Sequence, residues 1–120
     1  MLPEEFDVPL APFTTMRVGG PATRLVEVTS TEEFVRIVGE CDNADEPVLL
    51  LAGCSNLVVG DDGFAGTTVL VRTQGQQIQV DGDTGVVTVT AAAGESWDRL
   101  VAQLVADGVS GLEALSGIPG

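Results

Sequence analysis

The amino-acid sequence predicts one α+β domain with a mixed sheet and flanking helices, and three patterns lead to this prediction. A strand, a helix and a second strand follow one another over residues 24–52, which indicates a βαβ unit with a right-handed crossover. Two runs of alternating apolar and polar residues, 77–81 and 87–91, indicate an antiparallel hairpin. A second amphipathic helix begins near Trp97. Since no repeat or linker interrupts the 120 residues, a single domain is expected.

The first part of the chain is rich in proline. Residues 1–22 contain four of the six prolines, so they are predicted to form an extended arm. Residues 24–28 alternate in part and are predicted to form a short strand.

The helix of the βαβ unit has a recognisable start. Ser30 and Glu33 fit a capping box, in which each side chain accepts a hydrogen bond from a backbone N–H at the helix N-terminus. Four apolar residues then follow at helical spacing: Phe34, Ile37, Val38 and Cys41. We therefore expect this face, Cys41 included, to lie in the core.

Residues 48–52 are apolar without interruption. Such a run is typical of a parallel strand that is buried on both faces. Residues 69–71 are predicted to form a further strand, and the alternating hairpin after it is expected to leave one face in water.

The second helix is predicted to begin after Ser96, as N-cap, and to end at Gly108. Its apolar stripe comprises Trp97, Leu100, Val101, Leu104 and Val105. Because Trp97 belongs to this stripe, core packing is favoured for it over stacking on a ligand.

Composition excludes several classes of function. The formal net charge is −13, with 18 acids against five basic residues, so nucleic acid is an unfavourable partner. Without histidine, a Ser-His or Cys-His nucleophile and a His-based metal site are excluded within this chain, and no metal is expected. No apolar run reaches the ~20 residues of a membrane-spanning helix. The N-terminus lacks the basic start of a secretory signal, so the cytoplasm is expected, with Cys41 and Cys54 reduced.

The loop that follows the apolar 48–52 strand is the strongest candidate for ligand binding. Small residues in Gly53-Cys54-Ser55-Asn56 allow a close approach of the backbone, and successive N–H groups in a turn can bind an anion. The Rossmann, P-loop and nucleophile-elbow patterns all fail here. A turn that merely requires small residues remains an equal alternative from the spacing alone.

Four motifs together indicate a family. In order they are Thr-Thr-Met-Arg-Val-Gly-Gly-Pro-Ala at 14–22, Leu-Ala-Gly-Cys-Ser-Asn-Leu-Val at 51–58, Ala-Gly-Glu before the Trp97 helix, and the 111–120 segment that ends in Ser-Gly-Ile-Pro-Gly. This set resembles the UDP-N-acetylenolpyruvoylglucosamine reductases, also called UDP-N-acetylmuramate dehydrogenases or MurB. The resemblance runs in the family's order from about residue 13 to 120.

The resemblance implies a flavin-dependent oxidoreductase of peptidoglycan synthesis, and hence of cell-wall biogenesis, cell shape and cell division. The implied fold is the FAD-binding subdomain of the vanillyl-alcohol oxidase (PCMH) type. FAD would take hydride from NADPH and reduce UDP-N-acetylglucosamine enolpyruvate, a nucleotide-sugar substrate, to UDP-N-acetylmuramate. The implied cofactor-binding residues are Ala52, Gly53, Cys54, Ser55, Asn56, Gly117, Ile118, Pro119 and Gly120, with Thr15, Arg17, Gly19 and Gly20 as further candidates.

Two departures from the family pattern stand out. The family usually has glycine where this chain has Cys54, and if φ is positive there a cysteine is strained by about 1 kcal/mol, with its Cβ expected to point towards the phosphates. The family's catalytic serine, arginine and glutamate all lie beyond the Ile-Pro-Gly turn, so no residue of this chain is assigned a catalytic role.

The domain prediction follows from the second departure. Residues 1–120 are expected to be the N-terminal part of the FAD-binding domain, cut within the Gly-Ile-Pro-Gly motif and inactive alone. Two alternatives remain: a non-catalytic flavin-binding remnant of a shortened gene, and the flavin subunit of a molybdenum hydroxylase. The oligomeric state is left open.

Overall fold

The structure is a computed structural model, which describes residues 3–119. Its strands are β1 (Glu4–Pro9), β2 (Pro21–Val28), β3 (Val48–Leu51), β4 (Phe64–Val71), β5 (Gln76–Val80) and β6 (Val87–Ala91). The helices are α1 (Thr31–Asn43) and α2 (Trp97–Ala106), with short 3-10 turns at Ala11–Phe13 and Glu113–Leu115. The α+β class and the mixed sheet are therefore confirmed.

The main sheet has the strand order β1-β2-β4-β3. Strand β4 runs parallel to both β2 and β3, whereas β1 pairs with β2 in the antiparallel sense. β2, α1 and β3 thus form a βαβ unit, as predicted, with β4 inserted between its two strands.

The position of β4 corrects the prediction for β3. Residues 66–71 of β4 are all buried, because this strand is central and is covered on both faces. β3 is an edge strand in the described chain, and Leu50 is 52% exposed. The apolar run at 48–51 therefore does not mark a strand buried on both sides.

Strand β1 was not predicted, since the first 22 residues were expected to form an extended arm. Its sequence, Glu-Glu-Phe-Asp-Val-Pro, shows no buried face, and Phe6 is 65% exposed. Pairing with β2, for example between Glu5 and Leu25, makes this segment a strand. The pairing depends on a tertiary neighbour and leaves no hydrophobic pattern in the segment itself.

Helix α1 covers one face of the main sheet, and its predicted cap is confirmed. The Ser30 hydroxyl accepts the Glu33 N–H at 3.2 Å, and the Glu33 carboxylate accepts the Ser30 N–H at 3.2 Å. This face of the core comprises Val26, Val28, Ile37, Val69 and Val71, with Phe34 and Val48 packed against it. Cys41 is buried, as predicted.

A second apolar cluster lies under the N-terminal segment and the loop after β3. It is formed by Leu10, Ala22, Leu25, Leu51 and Leu70. Phe13, Cys54, Leu57 and Val59 are partly buried against it. This cluster thus fixes the base of the 53–56 loop.

The β5–β6 hairpin is confirmed as an antiparallel pair, and it forms a separate two-stranded sheet. The expected single wet face is wrong for the described residues, because every residue of β5 is exposed, with Val80 at 66%. The molecule is accordingly elongated. Its Cα radius of gyration is 17.0 Å, against the roughly 14 Å expected of a compact domain of this length.

Helix α2 ends as predicted. The Gly108 N–H donates to the Val105 carbonyl and the Val109 N–H to the Leu104 carbonyl, which together form a Schellman motif. Ser96 occupies the N-cap position, but its side chain caps no backbone N–H. Leu100, Val101 and Leu104 are buried, whereas Val105 is 51% exposed.

Candidate functional site

One residue, Ala52, separates the 53–56 loop from the buried Leu51 at the end of β3. Gly53, Ser55 and Asn56 are exposed, while Cys54 is partly buried. The backbone therefore leaves the sheet through an anchored residue and then turns into solvent. Side chains at the carboxyl end of a parallel strand are well placed for ligand binding.

The backbone N–H groups of this loop are available. Within residues 3–119, none of the N–H groups of Gly53, Cys54, Ser55 and Asn56 donates a hydrogen bond to a protein acceptor. The Ser55 hydroxyl and the Asn56 amide likewise contact no hydrogen-bonding partner among the described residues. Four adjacent free N–H groups in an exposed bend form a site that can accept an anion.

Cys54 adopts the left-handed backbone conformation, with φ at +56°. The condition for backbone strain is thus met, because a Cβ in this region costs about 1 kcal/mol. The expectation that its Cβ points towards the phosphates stays a prediction. The thiol donates to the Ala52 carbonyl at 3.3 Å and packs against the second apolar cluster.

The segment that precedes β2 supports the loop from behind. The Thr15 N–H donates to the Cys54 carbonyl at 3.2 Å. The Gly20 N–H donates to the Gly60 carbonyl at 2.9 Å, and a Cβ at Gly20 would lie 2.0 Å from the Asp61 carbonyl oxygen. Gly20 therefore allows two backbone segments to touch, which is a structural reason for the glycine.

The other two candidates of the segment before β2, Gly19 and Arg17, do not border the clefts beside the 53–56 loop. Gly19 faces Val59, and Arg17 is exposed with a positive φ of +58°.

Two clefts border the loop. The first has a volume of about 300 Å³ and is lined by Ala52, Gly53, Ser55, Val71, Arg72, Gly94, Glu95, Ser96, Trp97, Asp98 and Ile118. The second, of about 360 Å³, is lined by Leu50, Ala52, Gly53, Cys54, Ser55, Asn56, Leu57 and Pro119. The structure thus brings Ile118 and Pro119 to the loop that was predicted to act with them, while Gly120 lies outside the described residues.

The turn that carries these two residues, 115–119, is attached to the start of α2. The Trp97 indole Nε1 donates to the Leu115 carbonyl at 2.7 Å. Asp98 Oδ1 accepts the Gly117 N–H at 2.7 Å and the Ser116 hydroxyl at 3.2 Å. Gly117 itself has φ at +80°, a conformation that favours glycine.

These contacts change the expected role of two residues. The Gly117 N–H is already engaged by Asp98, so it is not free for a ligand. Trp97 is only partly buried, lines the first cleft and holds the 115–119 turn, so it does not belong to the buried core as its apolar stripe predicted.

Arg72 was missed by the sequence analysis. It follows β4, whose carboxyl end lies beside that of β3, and it is the basic residue in the lining of the first cleft. The signal was present, since adjacent parallel strands end at the same edge of a sheet. Among the described residues it pairs with the Glu27 carboxylate, at 4.0 Å, and its side chain is 49% exposed.

Three further observations concern the site and the described chain. The described residues contain no group of three or more potential metal-ligating side chains. Glu95, at the rim of the first cleft, accepts the Gly75 N–H at 2.7 Å through its carboxylate. Neither helix of the described chain has the length and apolar character needed to cross a membrane.

Comparison with known proteins places the chain in a family. A sequence model described as "FAD binding domain" matches residues 22–120. The chain belongs to this family. The loop, both clefts and the 115–119 turn all lie within the matched region. The expectation of an FAD-related fold is therefore confirmed.

Curated relatives of this FAD-binding chain are named UDP-N-acetylenolpyruvoylglucosamine reductase. The protein from Salinispora arenicola is 54% identical over 111 residues, covering 92% of this chain and 30% of the relative. The protein from Nocardia farcinica is 55% identical over 113 residues, covering 94% of this chain and 28% of the relative. The chain therefore spans about 30% of the length of the relatives that it matches.

A solved structure supports the same placement. The UDP-N-acetylenolpyruvylglucosamine reductase (MurB) from Thermus caldophilus matches 99% of this FAD-binding chain and 38% of its own, with a TM-score of 0.67 and 28% identity. The resemblance drawn from the four sequence motifs is confirmed by these comparisons.

Proposed function

We propose that this chain binds FAD through the 53–56 loop, with the cofactor's diphosphate held by the free N–H groups of Gly53, Cys54, Ser55 and Asn56. The observation that carries the proposal is that these groups are adjacent, lie on a loop of which Gly53, Ser55 and Asn56 are exposed, and donate to no acceptor in the described structure. In a protein of net charge −13, backbone dipoles supply the positive potential that lysines would otherwise provide.

The residues present fit a dinucleotide. Clefts of about 300 and 360 Å³ share the lining residues Ala52, Gly53 and Ser55, so an extended ligand can run along the loop and occupy both clefts. Arg72 supplies positive charge at the edge of the first cleft. Ile118 and Pro119 bound the clefts opposite the loop, and we include them, with Gly117 and Gly120, in the proposed site.

Among the other candidates, Thr15 supports the loop through its N–H, and Gly19 and Gly20 fit tight backbone packing. Their proposed contribution to FAD binding is therefore indirect. Arg17 keeps a proposed role only as an exposed cation on the segment behind the loop.

The activity proposed for the protein is NADPH-dependent reduction of UDP-N-acetylglucosamine enolpyruvate to UDP-N-acetylmuramate. Bound FAD would supply the hydride-transfer chemistry. The residues of this chain would bind the flavin nucleotide and hold it in place. The names of the relatives favour this function over a molybdenum hydroxylase subunit or a non-catalytic remnant. We propose that the reaction takes place in the cytoplasm and serves peptidoglycan synthesis, and thereby cell shape and division.

The cofactor proposal is tested by titrating the purified protein with FAD and, in parallel, with riboflavin. We expect flavin fluorescence to be quenched by FAD binding, and riboflavin, which lacks the diphosphate, to bind far more weakly. Equal affinity for the two flavins, or no affinity for FAD, would contradict the proposal.

The expectation that residues 1–120 are inactive alone has its own test. Residues 1–120 contain no group that we assign to proton donation, so we expect no NADPH oxidation dependent on the enolpyruvyl sugar from these residues alone. Measured turnover by residues 1–120 would show that the chain contains catalytic groups that we have not assigned.

A further inference from the structure

The turn opposite the 53–56 loop is held by side chains of one helix turn. Trp97 and Asp98 are the first two residues of α2, and their three hydrogen bonds reach Leu115, Ser116 and Gly117. The 3-10 turn at Glu113–Leu115 also contacts α2. Residues 113–119 are all exposed, so no buried side chain anchors them. Their position therefore depends on these contacts with the start of α2.

The negative charge of Asp98 is unfavourable for binding an anionic cofactor. Asp98 is a lining residue of the first cleft, together with Glu95, where an anionic ligand is proposed to bind. A negative charge there opposes a diphosphate, whereas the carboxylate oxygen that accepts two hydrogen bonds fixes the turn. The charge and the acceptor of the same side chain therefore have opposite effects on binding.

We infer that Asp98 is a positioning residue for the cofactor: by accepting the Gly117 N–H and the Ser116 hydroxyl, it holds the 115–119 turn against the 53–56 loop and so closes the clefts around the flavin nucleotide. This inference rests on the proposed function. It assigns Asp98 no contact with the cofactor and no part in the chemistry. Trp97 assists by fixing the Leu115 carbonyl.

Two substitutions separate the acceptor from the charge. Asp98→Ala removes both, and we expect FAD affinity to fall about tenfold, which corresponds to the loss of hydrogen bonds to a charged group. Asp98→Asn removes the charge but keeps an oxygen that can accept the same N–H. We expect its FAD affinity to equal or exceed that of the parent protein.

A matched control lies at the other end of the same helix. Asp107→Ala removes a carboxylate whose partner is the exposed Gln103, far along α2 from the turn. FAD affinity should not change in this variant. Ser116→Ala leaves the Gly117 hydrogen bond in place, so its expected loss of affinity lies between those of Asp107→Ala and Asp98→Ala.

A second readout needs no flavin. In proton–nitrogen NMR spectra of the FAD-free protein, the Gly117 amide and the single indole N–H, that of Trp97, report the two anchor points directly. We expect both resonances to move in Asp98→Ala and to stay near their parental positions in Asp98→Asn and Asp107→Ala.

The outcomes distinguish the inference from the function on which it rests. If the parent binds FAD and Asp98→Ala binds it equally well, or if Asp98→Asn is as weak as Asp98→Ala, the positioning role is overturned and the FAD site stands. If the parent binds no FAD, the proposed function falls and the role of Asp98 falls with it. Weak binding by Asp98→Ala with rescue by Asp98→Asn supports the inference.

Discussion

The 53–56 loop and the 115–119 turn face the same clefts, but they are held in different ways. The loop leaves the main sheet after Leu51, which is 1% exposed and belongs to a buried cluster. The turn is exposed and is joined to α2 by hydrogen bonds from Trp97 and Asp98. One wall of the site therefore depends on hydrophobic burial, and the other depends on a few polar contacts at the surface.

A Leu→Ala substitution in each wall should give the largest difference in the free energy of unfolding. Leu51→Ala opens a cavity under the loop, and we expect the free energy of unfolding to fall by about 3 kcal/mol. Leu115→Ala removes a side chain that is 40% exposed and keeps the carbonyl that Trp97 binds, so the loss should stay below about 1 kcal/mol. Urea unfolding of both variants measures the comparison, and equal losses would show that the two walls have similar support.

Two neighbouring threonines of β4 test how hydrogen bonding stabilises the buried main sheet. Thr67 and Thr68 on β4 are both 0% exposed. The Thr67 hydroxyl pairs with Glu46 and accepts a hydrogen bond from Arg24, whereas the Thr68 hydroxyl has no partner among the described residues. An unpaired buried hydroxyl is unfavourable, so replacing it with a methyl group should stabilise the fold.

We therefore expect the same Thr→Val substitution to change the free energy of unfolding in opposite directions at the two positions. Thr68→Val should raise the free energy of unfolding by about 1 kcal/mol, and Thr67→Val should lower it by about 1 to 2 kcal/mol. Thermal and urea unfolding measure both. A loss of stability in Thr68→Val would mean that its hydroxyl has a partner in solution.

Cys54 tests the loop itself. Because φ is +56°, Cys54→Gly relieves backbone strain but also removes the thiol contact, and Cys54→Ala keeps the strain without that contact. The Gly variant should be more stable than the Ala variant by about 1 kcal/mol. We also expect Cys54→Gly to bind FAD at least as tightly as the parent protein, by flavin fluorescence quenching; weaker binding would show that the cysteine side chain shapes the loop.

The smallest expected effect concerns pH and lies away from both walls, at the cap of α1. The Thr29 N–H, which donates to the Glu33 carboxylate at 2.8 Å, is the main reason that the Glu33 pKa lies below its ordinary value of 4.5. A carboxyl with a lowered pKa stabilises the folded state above its ordinary pKa, and this contribution is lost as the pH falls through the folded-state pKa.

Glu33→Gln should therefore reduce stability at pH 7 and flatten the fall in stability below about pH 4.5. Urea unfolding from pH 7 to pH 3 measures this. Glu32→Gln, one position earlier in the same helix turn, is the matched control, because it makes the same change of charge and leaves the capping hydrogen bonds of Glu33 in place. An unchanged profile in Glu33→Gln would contradict the role of the cap.

Local sequence signals predicted much of the fold. The capping box at Ser30 and Glu33, the hairpin strands and the Gly108 helix end each depend on neighbours within a few residues, and all are present. The 53–56 loop was recognised because small polar residues directly follow an apolar strand.

The predictions that failed depend on contacts between distant parts of the chain. An apolar strand can lie at the centre or at the edge of a sheet, and only the insertion of β4 places β3 at the edge. Strand β1 forms because β2 offers a free edge, and the role of Asp98 becomes visible only when Gly117 is folded back onto α2. Arg72 could have been found from the rule that adjacent parallel strands end at one edge.

The most direct test of the account is to follow the backbone amide resonances of Gly53, Cys54, Ser55 and Asn56 while the protein is titrated with FAD. We predict that these four signals move as FAD binds and that riboflavin at the same concentrations leaves them in place, because it has no diphosphate. Bound FAD with these four amides unchanged would contradict the account.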